Sequence, residues 1–242
     1  MGSRVTTAYF SNWKAWTFYP SYWLFYSLSF CSCVYVEDQH EKTEEVLFLA
    51  KMNLFLLSRY PRLAAYRHCD KHVVKMILEA TQMLYTAWGD EPAPCPKGMK
   101  PYRRTHVNHP TSRWVRARKE HYMFTCTFAL CLCEEYTKRY GRTHACEIRI
   151  RHLRRSIPPM TFRERGVNDK IARSGLPKGI TWFPLAMPED CLVKDETGEL
   201  NAVRSYKRYY GKKRNTMDMK WNRTTYKRPT KNTIMTYKRC ES

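Results

Sequence analysis

The chain has 242 residues, with 43 Lys and Arg against 22 Asp and Glu, for a formal net charge of +21. That length fits one or two domains, and 43% hydrophobic with 14% aromatic residues supplies a core that a disordered polycation lacks. So large a charge implies a polyanionic partner, nucleic acid or an anionic membrane surface, and a small acidic substrate would not require it. The charge is unevenly placed. Residues 1 to 51 hold Arg4, Lys14, Lys42 and Lys51 against Glu37, Asp38, Glu41, Glu44 and Glu45, so the polyanion binder begins near residue 52. Ten cysteines are spread over the chain, with Cys31, Cys33, Cys126, Cys131 and Cys133 inside apolar stretches. That pattern reads as reduced thiols of a cytoplasm or nucleus rather than a secreted disulfide framework.

Taken in chain order, Ala15 to Val36 is an uncharged run, yet Pro20 and Ser21, Ser27, Ser29 and Ser32 interrupt it and it leans on Tyr and Trp. Those rings favour interfaces over a bilayer centre. Residues 1–51 therefore read as a poorly ordered extension, with membrane or targeting use of 15–36 left open. Met52 to Ser58 reads as a first buried strand or extended segment. Pro61 opens a helix that runs without internal Pro or Gly to Trp88, where Gly89 closes it. A Pro-rich loop follows, and Pro110 starts a second long helix that Gly141 stops after Tyr140. Cys146 to Arg155 reads as a short basic helix, and the stretch to Pro188 is irregular. Thr197 to Tyr210 is helical again, and the tail from Gly211 is basic. The expectation is an all-α fold, a compact bundle of two long helices with shorter helices and long irregular loops. Its domain covers 52–214 and its tail 215–242.

On the first helix, His68, His72, Lys75, Glu79 and Gln82 fall near one line at 100° per residue, with Val73, Ile77, Ala80 and Leu84 opposite. A helix apolar on its other sides is packed on those sides, so the line either borders a cleft with acid–base chemistry or is a buried Lys75–Glu79 pair with satisfied histidines. His68, Cys69 and His72 lack the second ligand pair of a zinc site, and no metal or other cofactor is expected. His106, Asn108 and His109, just before Pro110, read as a loop and helix cap. Arg113 and Arg116, at the start of the second helix, suit phosphates, or form a solvated basic end. From Arg204 onward, cations alternate with Tyr206, Tyr209, Tyr210, Trp221, Tyr226 and Tyr237, the pairing of charge and rings that suits nucleic acid.

Three pieces in order resemble the pyrimidine-dimer DNA glycosylases of the bacteriophage endonuclease V type. Asp70-Lys71-His72 followed by Glu79 is similar to that family's Asp-x-His and catalytic glutamate. Glu134-Glu135-Tyr136-Thr137-Lys138-Arg139-Tyr140-Gly141 is similar to its second helix and closing Arg-Gly turn. Tyr206-Lys207-Arg208-Tyr209-Tyr210-Gly211-Lys212 is similar to its aromatic, basic segment. The resemblance implies an all-helical monomer that binds duplex DNA, extrudes a nucleotide, attacks the sugar C1′ with an amine and cleaves the strand by β-elimination. Carried over, Glu79 is the catalytic carboxylate and His72 contacts the site. Lys207, Tyr209, Tyr210 and Lys212 hold DNA; apart from the resemblance, His68, Lys71, Gln82, Arg113 and Arg116 are expected as further DNA contacts. The family's nucleophile is the α-amine of an N-terminal threonine, where this chain has Asn53 after Met52. The family's arginines near the glutamate are Leu78 and Gln82 here. Lys75 is then the substitute amine, activated by desolvation and nearby histidines. The expectation is an intracellular DNA repair glycosylase and abasic-site lyase. The alternatives are a non-catalytic nucleic-acid binder on the same fold, or an enzyme of viral pyrimidine modification.

Overall fold

The first described piece of the chain is an extended thread rather than a strand. Met52, Leu54, Phe55, Leu56 and Leu57 are all buried, so consecutive side chains on both faces of the backbone enter the core, each worth about 1.5–3 kcal/mol for the larger ones. Among the described residues no neighbouring strand supplies a ladder. The Asn53 N–H instead donates to Glu79, the Leu54 N–H to the Asn53 side chain, and the Leu57 N–H to the Phe55 carbonyl. This computed structural model describes residues 52–159 and 170–222, all within the unit that spans residues 43–242. The expectations for residues 1–51, including the uncharged run 15–36, and for residues 223–242 fall outside it.

The expected first helix is two. Helix α1 (Pro61–Arg67) opens with Pro at its first position, where a missing N–H costs nothing. His68 and Cys69 then turn extended, with ψ of 142° and 162°, before α2 (Asp70–Thr86) starts. No Gly or Pro marks the break. Tertiary bonds offset the lost helical ones: the Cys69 N–H donates to the Tyr210 hydroxyl and the Asp70 N–H to the Lys220 carbonyl. The second expected helix also divides. Helix α3 (Pro110–Ala117) is capped by the His109 ring, which accepts from the Thr111 N–H at 3.2 Å. Arg118 is extended, and α4 (Lys119–Tyr140) follows, ended by Gly141 at φ 66°, a left-handed position that favours glycine.

Helix α5 (Glu147–Leu153) matches the short basic helix. The irregular stretch contains one antiparallel pair, β1 (Ile171–Ala172) with β2 (Phe183–Pro184), and a 3₁₀ turn at Glu189–Cys191. Helix α6 (Ala202–Lys213) begins later than expected, because its cap is Asn201, whose side chain accepts from the Arg204 N–H. Among the described residues the fold is mostly helical, with α2, α3, α4 and α5 packed on one another. Trp114 of α3 stacks on His121 of α4 at 4.3 Å, meets Phe183 at 4.6 Å and donates its indole N–H to the Trp182 carbonyl. Phe183 in turn meets Tyr206 of α6 at 5.7 Å, so the β pair ties the helical core to α6.

Arg139 locks the break between α1 and α2. Its side chain is 0% exposed and reaches Glu135 and Asp70 at 2.8 and 2.9 Å. It also donates to the His68 and Tyr66 carbonyls, groups that the broken helix leaves without intrahelical partners. The chain beyond α6 returns to the same place. Trp221 donates to the Arg67 carbonyl, and the Asn222 N–H donates to the Asp70 carboxylate, so residues beyond 214 pack on the helical core. The seven described cysteines are free thiols. Among the described residues no helix is long and apolar enough to cross a membrane.

Candidate functional site

Glu79 lies in the middle of α2, and its neighbours on that helix, Met76, Ile77, Ala80 and Met83, are buried. It is itself 7% exposed. One carboxylate oxygen, Oε2, accepts the Asn53 N–H at 3.0 Å, and the other, Oε1, lies 3.4 Å from Lys75 Nζ. Desolvation raises its pKa above the usual carboxylate range, against the lowering pull of the Asn53 N–H, Lys75 and His106. A carboxyl in this position holds a proton at a higher pH than a surface one.

Asn53 is fixed on all sides. Its amide NH₂ donates to the Ala186 carbonyl at 2.8 Å, and its side-chain oxygen accepts the Tyr206 hydroxyl at 2.9 Å. Tyr206 is buried on α6, so a residue from the far end of the chain sets the position of the N–H that Glu79 receives. The same helix face brings Tyr209, Tyr210 and Lys213. Lys213 Nζ stands over the Tyr209 ring at 4.9 Å and the Phe55 ring at 5.8 Å, a cation–π arrangement. It lies within electrostatic reach of both Lys75 and Glu79. Burial first and then Lys75 lower its pKa, while Glu79 raises it.

His72 completes the cluster. It stacks on Phe55 at 4.9 Å, and its Nδ1 is hydrogen-bonded to the Tyr210 hydroxyl at 2.8 Å. Burial, His68, Lys213 and Lys75 together push its pKa down to about 3, so the ring is neutral at pH 7. Lys75 acts on both His72 and Glu79, and Lys213 acts on His72 and is acted on by Glu79, so the two amines link imidazole and carboxyl beside the rings of Phe55, Tyr209 and Tyr210.

Several expected residues sit elsewhere. His68 is not on the α2 stripe, because it occupies the break before the helix. It is fully buried, its Nδ1–H donates to the Ala64 carbonyl at 2.7 Å and burial lowers its pKa to about 4, so it is a core residue and not a DNA contact. Tyr209 and Tyr210 are buried too. The Tyr210 hydroxyl is engaged with Cys69 and His72, so these rings form a wall of the site rather than exposed platforms for displaced bases. Lys75 is more than half exposed, at 54%, and the expectation of a desolvated amine therefore moves to Lys213.

Lys71 is exposed at the start of α2, and Gln82 is half-buried one turn beyond Glu79. Arg113 is half-buried, and Arg116 donates to the Val107 carbonyl at 2.5 Å, which braces the loop before α3. Lys207 is exposed, while Lys212 pairs with Asp190 at 2.5 Å. Asn53 and Lys213 were not among the expected residues. Lys213 follows Tyr206, Tyr209 and Tyr210 at helical spacing, and extending that face by one turn finds it. Nothing local signals Asn53.

No family model matches the sequence, and no curated protein or solved structure is similar enough to pair with it.

Proposed function

We propose that the protein is a DNA glycosylase with abasic-site lyase activity, acting on damaged or modified pyrimidines in duplex DNA. One observation carries the reading: a nearly buried carboxyl, Glu79, with a raised pKa, held by a backbone N–H and sharing its surroundings with two amines and a neutral imidazole. Groups pushed from their ordinary pKa values in one cluster suit proton transfer and nucleophilic attack. The strongly basic chain suits the polyanion on which such chemistry would act.

In this mechanism an uncharged amine forms a bond to C1′ while the C1′–N bond to the base breaks and the base leaves with the electron pair and a proton. The sugar ring opens as the amine nitrogen and C1′ become an imine, with Glu79 in its acid form protonating the ring oxygen. Glu79, now ionised, or His72 removes a C2′ proton. The C3′–O bond then breaks and the 3′ phosphate departs, and water hydrolyses the unsaturated imine to return the amine. Lys213, whose half-buried side chain has a lowered pKa, is one candidate amine, and Lys75, 3.4 Å from Glu79, is the other. A chain that began at Asn53 would carry an α-amine on the nitrogen that lies 3.0 Å from Glu79 Oε2.

Borohydride trapping tests the reading. Duplex containing an abasic site or a pyrimidine dimer should yield a covalent protein–DNA adduct, lost in whichever of Lys213→Met or Lys75→Met removes the nucleophile. If both variants still trap, peptide mapping of the adduct should find it on the chain's α-amine. Glu79→Gln should slow cleavage about 10²- to 10⁴-fold. No adduct with either DNA, or salt-sensitive binding with no activity that depends on Glu79, overturns the enzyme and leaves a non-catalytic binder.

A further inference from the structure

A concave surface lies between α1 and α6, lined by residues outside the Glu79 cluster. It is an open groove of about 600 Å³, within the volume range of small-molecule sites. One side is the end of the N-terminal thread and α1, with Arg59, Tyr60 and Arg67. Another is the first two turns of α6, with Arg204 and Lys207. The third is a pair of loops carrying Ser174, Gly175 and Asp195 to Asn201.

The loop wall is built firmly. Asn201 donates to the Ser174 hydroxyl at 3.0 Å while its oxygen caps α6. Gly175, at φ 67°, presses so close to Asn201 that a Cβ there would fall 2.3 Å from the Asn201 side-chain oxygen. Asp195 is occupied within its own loop, accepting from the Thr197 N–H, the Thr197 hydroxyl and the Glu199 N–H. Hydrogen bonds from Ser174 and Thr197 hold its pKa down to about 2. The remaining acid, Glu196, is almost fully exposed and reaches Arg204 only at 4.0 Å.

Against Asp195 and Glu196 the same groove carries Arg59, Arg67, Arg204 and Lys207, so cations are in excess. Arg67 spends one nitrogen on the Leu57 carbonyl at 2.8 Å. Partial burial first, and then Arg67 as a like charge, lower the Lys207 pKa. Like charges held together on a cavity wall favour an anion between them. Tyr60 adds what a bare phosphate site would not have. The residue is 64% exposed, the highest value among the exposed large hydrophobic residues described, and it lines the same cavity. An open ring beside several cations matches the two parts of a nucleotide, a flat base and a phosphate.

We infer that this cavity binds one nucleotide, with the base on Tyr60 and the phosphate among Arg67, Arg204 and Lys207. The site does not depend on Glu79 being catalytic. Its ligand chemistry has two sources, a nucleotide within a strand or a free nucleoside monophosphate.

Calorimetric titration of the full chain tests it, with thymidine monophosphate, an eight-residue oligothymidylate and inorganic phosphate as probes. Thymidine monophosphate should bind at least tenfold more tightly than phosphate. Tyr60→Ala should weaken it about 5- to 100-fold, and Lys207→Glu about tenfold, both with an unchanged circular-dichroism melt because the two side chains are exposed. Saturation-transfer NMR should place the base protons against the protein in the parent and not in Tyr60→Ala. An oligothymidylate that binds far more tightly, with the same sensitivity to Tyr60, assigns the site to a strand, and equal affinity assigns it to the free nucleotide. Phosphate competing as well as thymidine monophosphate, no binding of the mononucleotide, or affinity indifferent to Tyr60→Ala overturns the inference. The trapping result stands apart from all of these outcomes, so either idea can fall alone.

Discussion

Two ion pairs in this protein share the same helical spacing and do different things. Glu135 and Arg139 face each other one turn apart on α4, as Lys75 and Glu79 do on α2. In the first pair both side chains are buried, and the guanidinium donates to two carboxylates and two backbone carbonyls. In the second only the acid is buried. Its amine partner lies half in water at 3.4 Å, and the carboxyl depends on a backbone N–H from a distant segment. A charge pair whose members are both satisfied serves to lock geometry. One left partly satisfied in a dry place keeps an ionisable group with a perturbed pKa, which is what acid–base chemistry needs.

The largest effect that would sharpen this contrast is on Arg139. Arg139→Ala leaves Glu135 buried without its partner and should cost about 3–5 kcal/mol of stability in urea titration. Replacing both members, Glu135→Leu with Arg139→Met, should recover part of that loss, because an apolar pair leaves no stranded charge. A double variant no better than the single one would mean that the bonds to Tyr66 and His68 matter more than the pair itself.

The neighbouring histidines give a second, comparable effect. His68 and His72 have folded-state pKa values lowered to about 4 and about 3. Their neutral forms are therefore favoured by folding, and the stability they contribute is present above pH 6.5 and lost as pH falls toward those values. Between pH 7.5 and 5 the two together should remove about 4 kcal/mol. Glu79 works in the opposite sense, since its raised pKa makes its contribution largest in acid and lost as pH rises. His72→Gln should flatten the acid limb of the stability curve by about half, read from urea midpoints at several pH values, and an unchanged slope would place the loss elsewhere.

The smallest effect belongs to Lys75. Lys75→Met should alter stability by less than about 1 kcal/mol, as expected for a pair with one member in water. A cost equal to that of Arg139→Ala would erase the distinction between the two pairs and return Lys75–Glu79 to a purely structural role.

The local signals read well where local physics decides. Pro61 and Pro110 start helices because a first-turn residue needs no N–H, and Gly141 ends one because a left-handed residue is required there. The burial of Glu79 is legible from the apolar run around it, and His109 as a cap follows from its place before Pro110. The breaks at His68–Cys69 and at Arg118 are not legible, since those residues are compatible with helix. At the first break the bonds that reward leaving the helix come from Tyr210, Lys220 and Arg139, far along the chain.

Tyr209 and Tyr210 show the same limit from the other side. Alternating rings and cations in the sequence predict exposed rings on α6, yet ring exposure depends on what packs against the helix, and Phe55 and His72 do. Composition and periodicity by themselves determined a basic, largely helical protein with an acid on a buried helix face. Only the tertiary structure decided which nitrogen meets that acid, which lysine shares its dry surroundings and which tyrosine stays open to solvent. Those three outcomes are contacts between segments distant in sequence, and such contacts leave no trace in the periodicity of either segment alone.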